Sequence, residues 1–364
     1  MITKRFSAAD EASAAEALLR GSLTDGLPVV VPTPDRVEQM IAAGGVDGAV
    51  SLGPVPPVNG QATVEKIAIN AVMAGCRPAY FPVVLAATRA MLKPEFGLMT
   101  VQASTGPYGP MLVVNGPIRN ELEIAGGVGC MGPGFEANAT IGRAMRLILM
   151  NIGGARPGLG DAASHGSPVK FSFCFSELEE MSPWTPYHTT RGFEADDDVV
   201  TVIAAEGTQC LVLLPPEPGA GRGATPEGFI NNTAARLVMP GSIPHYFARV
   251  PATAGTHVTI ALTPQTALFL HSNGWDREAL QKAIWERAVI PIRDRKKFAT
   301  GLATELEEWE VDPEWDDPEA VLRPYDDPSD IQIVVCGGVH SNQLIPCGPF
   351  KIGAPVSERI VRPS

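Results

Sequence analysis

Long apolar runs are missing from this chain. No window approaches the about eighteen consecutive apolar residues that a spanning helix needs, so no membrane partner is expected. The opening MITKRFSAADEASAAEALLRG places no apolar stretch behind Lys4 and Arg5, and it does not read as a signal peptide. Charge is scarce too. Only 19% of the 364 residues are charged against 45% hydrophobic, which excludes disorder as the default and leaves length for two or three structural units. A basic patch is also absent. Of the net −12, the segment from Glu305 to Asp330 accounts for −11, with twelve acidic residues against Arg323 alone, so the rest of the chain sits at −1. Nothing there would attract a phosphate backbone, and nucleic acid is excluded as a partner. The six cysteines, Cys76, Cys130, Cys174, Cys210, Cys336 and Cys347, lack disulfide-framework spacing and any close Cys-x-x-Cys companion. Reduced thiols in a cytoplasmic protein are the reading. No nucleotide-cofactor motif and no solenoid period occur.

What the chain does have is glycine and proline, 37 and 34 of them, without a fixed period. They predict many tight turns between short elements, with sites carried on loops. The densest such loop runs from Gly126 to Gly134 and feeds a helix with Ile141, Ala144, Met145, Ile148, Leu149 and Ile152 at helical spacing. Asn138 or Thr140 would cap it, and Gly153 and Gly154 would stop it. A glycine-rich loop at a helix start presents free N–H groups and the positive end of the helix dipole, an anion pocket in which Gly129, Gly132, Gly134 and Asn138 would bind substrate. Cys130 lies inside it. A thiol so placed, with Arg143 and Arg146 adding positive charge, is a candidate nucleophile, and Arg143 a candidate for neutralising the anion. The competing reading is a small residue in a packing loop.

Elsewhere the pattern alternates between strands and helices. Leu27–Val31, Leu98–Ala103, Met111–Val114 and Lys170–Phe175 read as strands, and Ala62–Ala74 and Pro82–Leu92 as helices. Val199–Leu214 reads as two strands about Glu206-Gly207. The expected fold class is α/β, with mixed, largely parallel sheets flanked by helices in two lobes, 1–214 and 229–364, joined by a linker or flap at 215–228. The acidic 305–330 segment carries Trp309 and Trp315 and reads as a docking surface, in keeping with a homo-oligomer.

Two further places carry chemistry. SELEE, Ser176–Glu180, masses carboxylates where a strand ends, and Glu177 is the candidate proton carrier, against the plainer reading of a solvated acidic turn. The apolar run Ile331–Val335, expected in the middle of a parallel sheet, delivers Cys336-Gly337-Gly338-Val339-His340. Cys336 and His340 could be nucleophile and base, with Gly337 and Gly338 lining the site, or both could be metal ligands.

TVEKIAINAVMAGCRP, ANATIGRAMRLILMNIGG, KFSFCFSELEEMSPWTP and NGWDREALQKAIWERAVIP together resemble a bacterial family associated with or fused to a small UGSC-type thiol domain, one with a selenocysteine-or-cysteine, Gly, Ser, Cys motif. The resemblance spans most of the chain. It implies thiol or selenol redox chemistry, or chemistry on a sulfur-bearing substrate. The chain has no Cys-Gly-Ser-Cys of its own, so a redox partner would be a separate thiol protein.

Three functions follow as alternatives. One is an enzyme acting on a small anionic, sulfur-containing metabolite by cysteine-dependent bond cleavage or formation. Another is a lyase or hydrolase using a divalent metal, with ligands from His165, His188, His340, Cys336 and the glutamates. The last is a non-catalytic partner subunit of a thiol redox protein. All of this depends on the two cysteine-bearing glycine bends, at Cys130 and Cys336, meeting in space.

Overall fold

The computed structural model describes residues 5–212, 225–240, 242, 256–294, 317, 319–339, 342–346 and 353–363. The chain divides into two compact units. Met1–Gly207, Val335–Gly338 and Ala354–Ser364 make the first, and Thr208–Val334 with Val339–Gly353 the second. The fold class is α/β with mixed sheets. Among the described residues no helix is long and apolar enough to cross a membrane.

The first unit opens with helices α1 (Glu11–Arg20) and α2 (Pro34–Gly44) and the antiparallel pair β1 (Ser51–Val55) and β2 (Gly60–Thr63). Helix α3 (Val64–Ala74) is capped by the Thr63 hydroxyl, which accepts the Lys66 N–H, and closes on Gly75 in the left-handed region. Helices α4 (Phe81–Leu92) and α5 (Leu98–Ala103) lead to strand β3 (Gly109–Asn115), all seven of whose residues are buried. After α6 (Ile118–Glu121) and α7 (Glu136–Asn151) come β4 (Cys174–Ser176) and β5 (Val199–Ala205). The last strand, Val356–Arg359, pairs with β5, giving the order Val356–Arg359, β5, β3, β4.

Helix α7 positions the site. Its residues Ile141, Ala144, Met145, Leu147, Ile148 and Leu149 are fully buried against α3, β3 and β4. Each large aliphatic side chain buried there contributes on the order of 1.5–3 kcal/mol. The approach is close enough to require glycine at 142, where a Cβ would stand 2.3 Å from the Ser172 hydroxyl.

In the second unit, β6 (Thr208–Val212), β7 (Val258–Leu262), β10 (Ile331–Val335) and β11 (Asn342–Pro346) form a sheet ordered β10, β7, β11, β6, and the short strands β8 (Ile290–Pro291) and β9 (Val321–Leu322) pair separately. The helix Arg277–Arg287 is capped by the Asp276 carboxylate, which accepts the Ala279 N–H.

Several local expectations are corrected. Leu98–Ala103 is helical, because Gly97 in the left-handed region starts a new turn and Leu98, Val101 and Gln102 bury one helical face. Six residues are too few for periodicity to decide. Leu27–Val31 forms no strand. Pro28 and Pro32 remove ladder donors, and Leu27 and Val30 are exposed. The strand expected over Lys170–Phe175 begins only at Cys174, after a 3-10 turn at Pro168–Lys170. The strands flanking Glu206-Gly207 do not pair with each other but enter different sheets. Strand β10 ends the order of its sheet rather than lying in its middle. Of the pairings described in register, β3–β4 is parallel and the rest antiparallel, since a fully buried run reads alike in either direction. Residues 215–224 of the expected flap, with Trp309 and Trp315 of the acidic segment, lie outside the described residues, and 225–228 open the helix Pro226–Leu237.

Candidate thiol site

Three segments of the first unit are laced together by backbone hydrogen bonds. Ser176 N–H donates to Ala125 O at 3.1 Å, Leu178 N–H to Val335 O at 2.8 Å, and Gly337 N–H to Gly126 O at 2.7 Å. The Ser176 hydroxyl adds a bond to Ile124 O at 2.6 Å. Gly126 is needed because a Cβ there would lie 2.4 Å from Ser176 O. The lacing brings the two cysteine-bearing bends together, close enough for the thiols of Cys130 and Cys336 to shift one another's ionisation, and both are unbridged.

Each thiol is buried, at 3% exposure, but the loop over Cys130 is not. Val128, Gly129, Gly132, Pro133 and Gly134 are exposed, and a Cβ built on Gly127, Gly129 or Gly134 would meet open space. The loop is folded by tight turns, Cys130 N–H to Gly127 O at 3.1 Å and Gly132 N–H to Gly129 O at 2.7 Å, with Gly129 and Gly134 at positive φ. Gly338 packs beside Val128.

The pair is electrostatically unequal. The hydrogen bond from Cys336 holds the Cys130 thiol below a thiol's ordinary range despite burial, helped by the N–H groups of Gly337, Cys130 and Met131. Conversely, the bond to Cys130, burial, and the charges of Cys130 and Glu177 push Cys336 well up. Of the two, Cys130 gives up its proton the more readily and Cys336 holds its own. Where burial outweighs any partner the shift is the opposite, raising Cys76 to about 12 and Cys174 further still.

Glu177 is wholly buried beside Cys336. Its carboxylate accepts from Asn115 Nδ2 at 2.6 Å and from the Tyr187 N–H at 2.5 Å. Asn115 also donates to Glu179 Oε1 at 2.9 Å, and Glu179 and Glu180 pair with Arg119. The acidic cluster is a knit network around β3's end. Asn115 ends the seven buried positions of β3, and a polar residue so placed signals a partner.

The remaining candidates fall elsewhere. Asn138 is not the cap. Phe135 takes that position and Thr140 bonds back to Glu136 O, while Asn138 binds Ala125 through both its amide groups and donates to Cys130 O at 3.0 Å. It fastens the cysteine loop. Arg143 is spent on Asp25, two bonds of 2.8 Å, and on Pro28 O, while Arg146 binds Asp161 and Ala155 O, so neither serves the loop as expected. His188 is buried with Nε2 against Glu194 O. His340 and Cys347 lie outside the described residues. Among the described residues no group of three or more His, Cys, Asp or Glu side chains is placed to hold a metal ion.

No protein-family model, curated protein or solved structure matches the chain.

Proposed function

We propose that the chain is a cytoplasmic enzyme acting on a small anionic metabolite by cysteine-dependent bond cleavage or formation, with Cys130 as nucleophile. The observation that carries this is the contact between Cys130 and Cys336, which stabilises one thiolate at the expense of the other thiol. Cys130 attacks the substrate's electrophilic atom, and Cys336, kept protonated, returns a proton to what leaves. With Arg143 and Arg146 engaged elsewhere, the substrate's negative charge is met by backbone N–H groups of the open 127–134 loop. Asn138 holds that loop at its turn, and Glu177 keeps the Cys336 proton in place rather than moving protons itself.

Iodoacetamide labelling of the native chain at about pH 6, where ordinary thiols are almost wholly protonated, tests the reading by peptide mapping. Cys130 should label ahead of Cys210, which is exposed. Labelling of Cys210 first, with Cys130 as slow as Cys76 and Cys174, would remove the nucleophile.

A further inference from the structure

A nucleophile needs only one thiol, and this structure spends a second, fully enclosed one on it. Cys336 lies close enough to Cys130 for each thiol to shift the other, and its neighbour Gly337 is bonded to Gly126 across 2.7 Å, which ties the two bends together. A thiolate at Cys336 therefore has one electrophile within reach, the Cys130 sulfur, and that sulfur is electrophilic only when bonded to a leaving group. An adduct through carbon offers no such attack. An adduct through sulfur does.

We propose that Cys336 is the resolving thiol of Cys130, that the substrate class is a small molecule carrying a disulfide bond, and that turnover closes an intrachain Cys130–Cys336 disulfide. This rests on Cys130 being the nucleophile and goes further by naming the bond it attacks. The Cys130 thiolate displaces one thiolate from R–S–S–R, breaking that S–S bond and forming Cys130–S–S–R. Cys336 then gives up its proton and attacks the Cys130 sulfur, forming the intrachain bond and expelling the second R–S group. The first leaving thiolate takes back from solvent the proton that Cys130 lost on ionising, and the second takes up the proton of Cys336, so dithiol and disulfide become disulfide and two thiols. Two electrons pass from the pair to the substrate.

The unequal pair orders these steps. While Cys130 is a thiolate, its hydrogen bond and its charge keep Cys336 protonated and unreactive. Once Cys130 is capped, both influences vanish and Cys336 loses its proton more readily. Attack by Cys336 follows capping and does not compete with it. The two thiols lie on bends far apart in sequence, so no Cys-x-x-Cys spacing announces them.

The test is incubation of the reduced full chain with glutathione disulfide, followed by peptide mapping without reduction. Wild type should yield a Cys130–Cys336 cross-linked peptide. Cys336→Ser should stop at a glutathione adduct on Cys130 that persists at least about tenfold longer than in wild type. A wild-type chain that keeps a stable adduct on Cys130 and forms no bridge overturns the resolving role. A chain whose Cys130 takes iodoacetamide but never glutathione overturns the substrate class and leaves the nucleophile standing. If Cys130 takes neither, the proposed function fails with it. The wild-type result decides alone should the variant not fold.

Discussion

Asn138 donates its side-chain amide to the carbonyl oxygen of Cys130 across 3.0 Å, from within the first turn of α7. The same side chain accepts from Ala125 N–H at 2.8 Å and donates to Ala125 O at 2.9 Å, so one buried residue ties both ends of the 125–130 turn to a helix sealed in the core. Replacing it by alanine leaves buried backbone groups unpaired. Asn138→Ala should cost roughly 2–3 kcal/mol in urea unfolding. Cys130 should also lose its lead over Cys210 in iodoacetamide labelling, which a purely structural loss would not cause.

How much of this was legible in the sequence follows from range. The glycine loop, the helix after it and the apolar run before Cys336 are local patterns, and each marks a segment at the site. The partners of Asn138 and Arg143 are not local. Arg143 lies nine residues past the loop in sequence yet faces Asp25, a residue that nothing about its own neighbours marks as a partner. Glu177 reads either as a proton carrier or as part of a solvated acidic turn, because composition cannot show that Asn115 and the Tyr187 N–H bond its buried carboxylate. Helix α5 was misread for the opposite reason, since its pattern is local but too short to carry a period.

Two adjacent glycines in the loop should respond oppositely to the same added methyl. At Gly127 a Cβ meets open space, whereas at Gly126 it would sit 2.4 Å from Ser176 O, on the residue whose carbonyl receives Gly337. Gly127→Ala should stay within about 0.5 kcal/mol of wild type. Gly126→Ala should cost about 1–3 kcal/mol or more, as overpacking does, and slow glutathione-driven bridging of Cys130 to Cys336. Urea midpoints together with non-reducing peptide maps check both.

Buried ion pairs flank α7 and set the acid limit of the fold. Burial pushes the carboxyls of Asp25 and Asp161 up, but Arg143 acting on Asp25, and Lys170 and Arg146 acting on Asp161, outweigh it and hold both below the usual range. A carboxyl with a depressed folded pKa lends stability above its unfolded value, near about 3.9, and loses it as pH falls through the lower folded value. Stability should be flat near neutrality and fall below about pH 4. Asp161→Asn should flatten that fall and, by leaving Arg146 and Lys170 without their anion, cost about 3–5 kcal/mol at pH 7. Arg143→Ala should destabilise to a similar degree yet leave the labelling order of Cys130 and Cys210 unchanged, because its guanidinium serves Asp25. Urea titrations at several pH values, with labelling alongside, separate the two roles.

Several groups hold the Cys130 thiol below a thiol's ordinary range. The leading cause is the hydrogen bond from Cys336, ahead of the N–H groups of Gly337, Cys130 and Met131, and burial works against all of them. Labelling of Cys130 followed against pH should therefore have its midpoint below that of an ordinary thiol, near about 8.5. In Cys336→Ala the donor is gone while burial stays, so the midpoint should move upward and the rate at neutral pH fall. Glu177→Gln should act on the other partner. In a Cys130→Ser background it removes the one charge that still keeps the Cys336 proton in place, so Cys336 should label at lower pH than it does with Glu177 present. A Cys336→Ala profile that overlays wild type would mean that backbone N–H groups alone hold the thiolate, and the two sulfurs would then be neighbours without being a functional pair.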